Sequence, residues 1–479
     1  MKTILKMVLI VYLFSTSHPV MAQKILTLED AISIAFQKSI EVFSEKNGLE
    51  AAQVNYQAVK LGQRASVKLD LTLPAYSKSL ASFFDPITGN ERFFSIGNTT
   101  IEGRFSVSQP IVLTDGQISI FGSIFGRNQF SEISGTSRDY FSNVYINLSQ
   151  PLFGFNTRKA VANRAKIDLE KAERDYAQAK MNIIYNITSS FYNLYKSKRS
   201  MEITEEKVSQ VEKSYNTALN KFKAGLIAEV EAMELEVDLA QSKNELFNAK
   251  KNYEELKDAF KLLLGLGLDE PLDVTANLIY VPVEVNIEDA IMNVLETRAD
   301  YQNAKSDIYL EKLSIDETKA QNAIQASINA NYGINRNDDR FSGIFRNYLG
   351  SRSITMDLSV PVFDWGRNKK VVEQARANLR LQGMRLEKME LSIIKEVKSA
   401  INNIQSAEAR IKILGQSVEV AEKSYNIKLE RFANGAITSF ELSQAQIKLT
   451  DMKLSVINAL IDYELALADL ERKTLKKYH

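Results

Sequence analysis

Histidine occurs twice in the 479-residue sequence, at His18 and His479, and cysteine does not occur. His18 lies in a segment read below as a removed leader, so the mature chain keeps one histidine, at its last residue. A Ser–His–Asp triad, a His-rich metal site, a Cys-ligated zinc, a disulfide and a lipidated N-terminal cysteine are all excluded. Carboxylates remain. Glu231 and Glu441 each follow a glycine, Gly225 and Gly435, by the same spacing. Paired carboxylates hydrolyse glycosides only when a pocket holds them, and the sequence around these two reads as helix surface. An enzyme is not expected, nor a cofactor. Lys and Arg total 60 against 59 Asp and Glu. That balance supplies no basic field for nucleic acid.

The elements that position Glu231 and Glu441 are very long helices. Proline is absent from 152 to 270 and after 361, and glycine from 155 to 224. Val208, Val211, Tyr215, Leu219 and Phe222 recur at helical spacing, and Leu414, Val418, Ala421, Tyr425, Leu429 and Phe432 repeat the rhythm. Such stripes are coiled-coil-like. The pattern predicts helices over 28–63, 158–221, 229–265, 287–325, 367–431 and 438–475. The two longest would span ~96 Å each and the others ~54–59 Å. One long helix beside two stacked shorter ones would make each half a rod. Gly225 and Gly435 fall where the long helices must reverse.

The halves are a duplication. A shift of 210 residues places Glu212–Asn216 on Glu422–Asn426, and Leu219, Phe222, Gly225, Ile227 and Glu231 on Leu429, Phe432, Gly435, Ile437 and Glu441. The same shift superposes Pro151, Phe153, Lys159, Val161 and Ala165 on Pro361, Phe363, Lys369, Val371 and Ala375. Leu28–Ile32 resembles Ile287–Ile291 at another offset, so the first half carries 49 extra residues before Pro151. The first repeat is 23–286, with strands and outer loops over 65–151, a tip at 222–228 and a connector at 266–286. The second is 287–479, with strands over 326–361 and a tip at 432–437.

Between the helices, apolar and polar residues alternate. Val67, Leu69, Leu71 and Leu73 bracket Lys68, Asp70 and Thr72; Val144, Ile146 and Leu148 alternate with Tyr145, Asn147 and Ser149. Residues 327–332 and 354–360 behave alike, and 101–108 and 117–125 less regularly. Such strands suit a soluble half-buried sheet or a membrane barrel. Four to six strands cannot close a membrane barrel, which needs at least about eight. In the membrane reading, several chains must therefore share one barrel. Lys2 and Lys6, the apolar run Met7–Phe14 and Val20-Met21-Ala22 match a secretory signal peptide over 1–22. Removing it takes the formal charge from +1 to −1. No other run is long enough for a membrane helix.

These pieces together resemble the TolC family of outer-membrane efflux proteins. Leu148-Ser-Gln-Pro-Leu-Phe153 and Leu358-Ser-Val-Pro-Val-Phe363 resemble the family's strand-to-helix junctions, and Asp364-Trp-Gly-Arg-Asn368 its Phe-Asp-Gly-Gly-Arg motif. Phe222–Ile227 and Phe432–Ile437 resemble its helix-tip turns. The resemblance spans essentially the whole mature chain. It implies a mixed, mainly α fold: a long coiled-coil-like α-helical barrel plus a transmembrane β-barrel shared by a homotrimer, with two internal repeats and four strands per chain. It implies outer-membrane lipid around the barrel, helices in the periplasm, a periplasmic adaptor (membrane fusion) protein at the tips, and an inner-membrane pump. The channel would conduct passively as the exit duct of a tripartite efflux pump; a type I protein secretion duct is the alternative within the fold. A soluble periplasmic coiled-coil scaffold is a second class.

Carried onto this sequence, the resemblance makes Glu231 and Glu441 constriction residues, with a second ring position on Gln444. The family's latching Tyr and Arg fall on Phe432 and Ile437, so the polar latch is missing. Closure by apolar packing of those two, or a different gate, follows. Three copies of Glu441 around an axis would favour cations. Phe222, Gly225, Leu226, Gly435 and Ala436 are the expected adaptor contacts. The alternative roles are solvated helix carboxylates for Glu231 and Glu441 and core packing for Phe222 and Phe432. Residues 74–140, with the aromatic-rich Phe83–Phe94, form either a long outer hairpin or added strands. Residues 335–352 read as the outer loop of the second repeat; Asp338 and Asp339 there suit a solvated loop better than a cation site.

Overall fold

The computed structural model describes residues 24–84, 86–87, 89–132 and 135–478. The expected signal peptide lies outside them. The chain is mixed and mostly helical. Its order is β1 (Lys24–Leu26), α1 (Leu28–Lys38), α2 (Ile40–Leu61), β2 (Ser66–Phe84), β3 (Glu91–Ile111), β4 (Gly116–Ser131), β5 (Gly135–Phe153), α3 (Thr157–Lys223), α4 (Glu229–Leu264), β6 (Leu272–Val274), α5 (Ile287–Thr297), α6 (Ala299–Gln321), β7 (Gln325–Asp338), a 3₁₀ turn (Phe341–Phe345), β8 (Leu349–Ser359), α7 (Arg367–Ala433) and α8 (Ser439–Thr474).

Two compact units divide these elements. Of the described residues, the first comprises those within 1–47, 174–302 and 389–479, and the second those within 48–173 and 303–388. In the first, Phe191, Ile187 and Leu194 of α3 pack with Phe260 and Leu264 of α4, Ala31 and Ala35 of α1, and Ile461 of α8. β1 and β6 pair in parallel beside this core. Lys198 donates to both Asp273 carboxylate oxygens at 2.7 and 2.8 Å, and the Tyr253 hydroxyl adds a third bond at 3.1 Å. Burial alone raises the Asp273 pKa, but the Lys198 bond and the Val274 N–H outweigh it and hold the carboxyl below its usual range.

Two expected helices are each broken. The segment 28–63 divides at Ser39, whose ψ is 131°, and 287–325 divides at Arg298, whose ψ is 124°. Neither break carries a proline or glycine. Tertiary packing holds the second: Arg298 binds Asp300 at 2.9 Å and Glu396 at 2.7 Å. The 266–286 connector also contains β6, which a three-residue run could not announce.

The second unit is built on one antiparallel sheet in the order β2-β3-β4-β5-β7-β8. Residues 74–140 therefore add strands, and among the described residues this sheet has six where the resemblance implies four. The irregular candidates at 101–108 and 117–125 are the middles of β3 and β4. They alternate poorly because Gly103, Gly122 and Gly126 stand at apolar-face positions. Neighbouring side chains cover two of these gaps, the Tyr140 ring lying 3.3 Å from where a Gly126 side chain would begin and Leu71 3.5 Å from that of Gly103, while the Gly122 position is open. The outer loop expected at 335–352 shrinks to 339–348, because β7 runs to Asp338 and β8 begins at Leu349. Asp338 is engaged by the Arg336 guanidinium at 3.1 Å and the Arg340 N–H at 3.0 Å.

Candidate functional site: a one-sided sheet and two helical tips

Direct cross-strand pairing assigns each strand residue to a face. Val67, Val107, Ile120, Ile146 and Tyr332 form one transverse row, and Leu69, Phe105, Gly122, Val144 and Ile334 the next. In the interior strands these side chains stay open: Ile118, Ile120, Ile124, Val144 and Ile146 are 39–45% exposed. An apolar face left uncovered across several strands belongs to a membrane or an interface. Along β5 it runs from Tyr140 to Leu148, close to the ~9–11 residues a tilted membrane strand requires.

The opposite face is polar. Ser66, Ser108, Ser119, Asn147, Asn331 and Ser353 share one row. Within it the Ser108 and Ser119 hydroxyls lie 3.3 Å apart, and Asn147 donates to Asn331 at 2.5 Å. Three ion pairs sit on this face: Lys68–Asp70 at 2.7 Å, Arg104–Glu102 at 2.8 Å and Arg127–Asp139 at 3.1 Å. Stacked rings, Phe121 on Tyr145 and Phe125 on Phe141, lie there too. Arg352 is an exception on the apolar face, near the outer end of edge strand β8. Apolar side outward and polar side inward is the pattern of a membrane barrel with an aqueous lumen. Among the described residues no helix is long and apolar enough to cross a membrane.

The two tips lie in the helical unit. In the first, α3 ends as Gly225 N donates to Phe222 O at 2.8 Å and Leu226 N to Lys221 O at 2.9 Å. In the second, Gly435 N donates to Phe432 O at 3.0 Å and Ala436 N to Arg431 O at 2.8 Å. Gly225 and Gly435 have φ of 70° and 74°. Only the left-handed region makes this reversal, and glycine enters it without a Cβ clash. Gly225, Leu226, Gly435 and Ala436 are all exposed.

Beneath the turns the tips share one core. Phe432 is 1% exposed and packs with Ala218, Leu235, Tyr425, Leu442 and Leu449; Phe222, Ile227 and Ile437 pack against that cluster. Lys221 of α3 donates to the Phe432 carbonyl and sits 4.8 Å from its ring centroid. Glu441 closes a capping box at the start of α8: its backbone N–H donates to Thr438 Oγ1 at 3.3 Å, and its carboxylate accepts from Thr438 N at 3.2 Å. Its side chain is otherwise exposed, as is that of Gln444. Glu231 accepts from Ser439 N at 3.4 Å, reaching the other tip.

Glu234 and Asp238 were missed by sequence reasoning. They accept from the Ser439 and Ser443 hydroxyls at 2.8 and 2.6 Å. Glu231, Glu234 and Asp238 fall on one face of α4 at spacings of three and four, a signal visible in the sequence. They form an acidic column against the N-terminal end of α8, where negative charge is favoured. Among the described residues no cluster of three or more carboxylates or histidines could hold a metal ion.

A family model described as outer membrane efflux protein matches residues 121–266 and 290–474, well over half of the chain. The chain belongs to the outer membrane efflux protein family. Members of this family are channels rather than enzymes, and this one is an outer-membrane efflux channel. Nodulation protein T of Rhizobium leguminosarum bv. trifolii is 21% identical over 319 residues, covering 65% of this chain and 67% of that protein. The outer membrane protein TolC of Vibrio cholerae is 21% identical over 335 residues, covering 68% and 75%. The fold of this efflux protein is similar to that of CusC, with a TM-score of 0.69 at 14% identity over 93% of this chain and 91% of that one. VceC from Vibrio cholerae gives 0.68 at 16% identity, covering 94% and 97%. Outer-membrane location sets aside the soluble periplasmic scaffold.

Proposed function

We propose that this protein is the exit duct of a tripartite efflux pump. It acts as a homotrimer and passively conducts substrates delivered by a periplasmic adaptor and an inner-membrane pump. The observation that carries this reading is the six-stranded sheet: its apolar face is uncovered, its opposite face carries polar rows and ion pairs, and six strands cannot close around a lumen. The helices, with their tips, extend into the periplasm. The exposed tip residues Gly225, Leu226, Gly435 and Ala436, with Phe222 behind them, form the adaptor-facing surface. Glu441, Gln444 and Glu231 line the constriction, backed by the tip core that holds Phe432 and Ile437. Transport energy comes from the pump, so the duct's own contribution is radius and ring charge.

The test is the mass of the detergent-extracted protein with and without heating, followed by channel recordings. A heat-sensitive trimer that conducts ions when reconstituted is the expected result. A stable monomer, or a trimer that carries no current in either tip state, would overturn the duct.

A further inference from the structure

We propose that the barrel wall contains eighteen strands: six from each of three copies, closed by the free edge of β2 in one copy meeting the free edge of β8 in the next. This rests on the homotrimer reading above and departs from the twelve strands that the family resemblance implies.

Four observations carry it. First, the sheet is continuous. β3 and β4 pair without a break from Ile96–Ser131 to Ile111–Gly116, so the extra hairpin belongs to the wall and does not fold across it.

Second, its inner turn is anchored. The Asp115 carboxylate accepts from Thr157 N at 3.2 Å and Arg158 N at 3.0 Å, capping the start of α3 from another loop. Asn156 donates to the Val112 and Leu113 carbonyls at 2.8 and 3.1 Å, and Arg158 reaches Gln117 at 2.9 Å. Asp115 itself sits at φ 60°.

Third, the strands alternate in direction and their number is even. The next copy's β2 therefore meets β8 antiparallel, and the alternation runs unbroken around the ring. Among the described residues β2 pairs only with β3 and β8 only with β7, leaving both outer edges open. An open edge is a template for another strand.

Fourth, the register already has barrel tilt. The row that starts at Ser66, the first residue of β2, ends at Ser353, six residues before the inner end of β8 at Ser359. Six residues at ~3.4 Å, gained over five steps of ~4.8 Å, give a tilt of about 40°. Closed barrels require about 35–45°. With that spacing and tilt, eighteen strands enclose a ring about 36 Å across between backbones, against about 24 Å for twelve.

The joint can be read directly because the chain has no cysteine. With Ser66 and Ser359 level at the inner end, Ser353 faces Thr72 of the neighbouring copy, both on the polar face. The experiment uses full-length protein in outer membranes. It pairs Thr72→Cys with Ser351→Cys, Ser353→Cys or Thr355→Cys and applies a short thiol cross-linker, with Ser123→Cys plus Ser353→Cys as the competing β4–β8 joint. The expected result is a native trimer that becomes a covalent trimer on denaturing gels with a Thr72 pair and not with Ser123. A trimer linked through Ser123, or through none of the Thr72 pairs, overturns the eighteen-strand wall and leaves the trimer standing. A native mass other than a trimer overturns the homotrimer reading itself. Imaging the unmodified protein down the barrel axis provides a second readout, ~36 Å supporting the wall and ~24 Å overturning it.

Discussion

The two helical tips share a sequence pattern and a turn geometry, yet they are secured differently. At the second, Thr438 and Glu441 satisfy the first turn of α8 locally. At the first, the corresponding N-cap is Ala228, which makes no side-chain cap bond. Glu231, three residues on as Glu441 is from Thr438, is then free to reach Ser439 across the interface. One missing hydroxyl thus turns a local capping residue into a tie between hairpins. The second tip carries its own cap, while the Glu231–Ser439 bond and the Lys221 bond to the Phe432 carbonyl join it to the first.

The heaviest blow to this arrangement is at the shared core. Phe432→Ala removes a ring 1% exposed and should cost about 3–5 kcal/mol of local stability. Amides of both α4 and α8 should lose hydrogen-exchange protection together. Loss confined to α8 would mean that the tips are independent.

A smaller effect, and a control, comes from the other end of the same unit. Asp273→Asn breaks the Lys198 pair and should cost about 1–3 kcal/mol without changing exchange at the tips. Because the folded carboxyl is held below its usual pKa, its contribution is complete at neutral pH and fades as pH falls through the carboxylate range, near ~4 and below. A melting curve against pH should be flatter on its acid side in the variant; an unchanged acid limb would sink the assignment.

Next is the cap itself. Thr438→Ala should cost about 1 kcal/mol at the start of α8. The reverse change, Ala228→Thr, should gain up to about 1 kcal/mol at the start of α4 by giving Glu231 a capping box of its own. It should also loosen Ser439, read as faster exchange of that amide. If Ser439 is unaffected, Glu231 is not a tie. The subtlest change is electrical. Glu441→Ala should alter cation block in reconstituted channels, and identical block and conductance would remove Glu441 from the constriction.

Much of this was legible in the sequence because long helices and one-sided strands leave periodic signatures. The 210-residue offset located both tips, and the helix-breaking glycines marked the turns. The breaks at Ser39 and Arg298 were hidden, since packing and ion pairs impose them on segments whose local propensity is helical. β3 and β4 were blurred by glycines at apolar-face positions, Gly103, Gly122 and Gly126, which interrupt the alternation. The roles of Glu234 and Asp238 depend on hydroxyls about 205 residues away, a partnership that no local pattern encodes.

The β3–β4 hairpin leaves the outer end of the sheet and returns to it, with Asp115 fastening its inner turn. A segment of that form can be gained or lost without reversing the direction of anything downstream, so α3 starts on the same side either way. Circumference thereby becomes a separable trait. The wall can widen by whole hairpins, two strands per copy, while the helices keep their own count. In the proposed threefold duct the mouth is then quantised in steps of six strands, and its aperture can evolve apart from the constriction proposed at the tips.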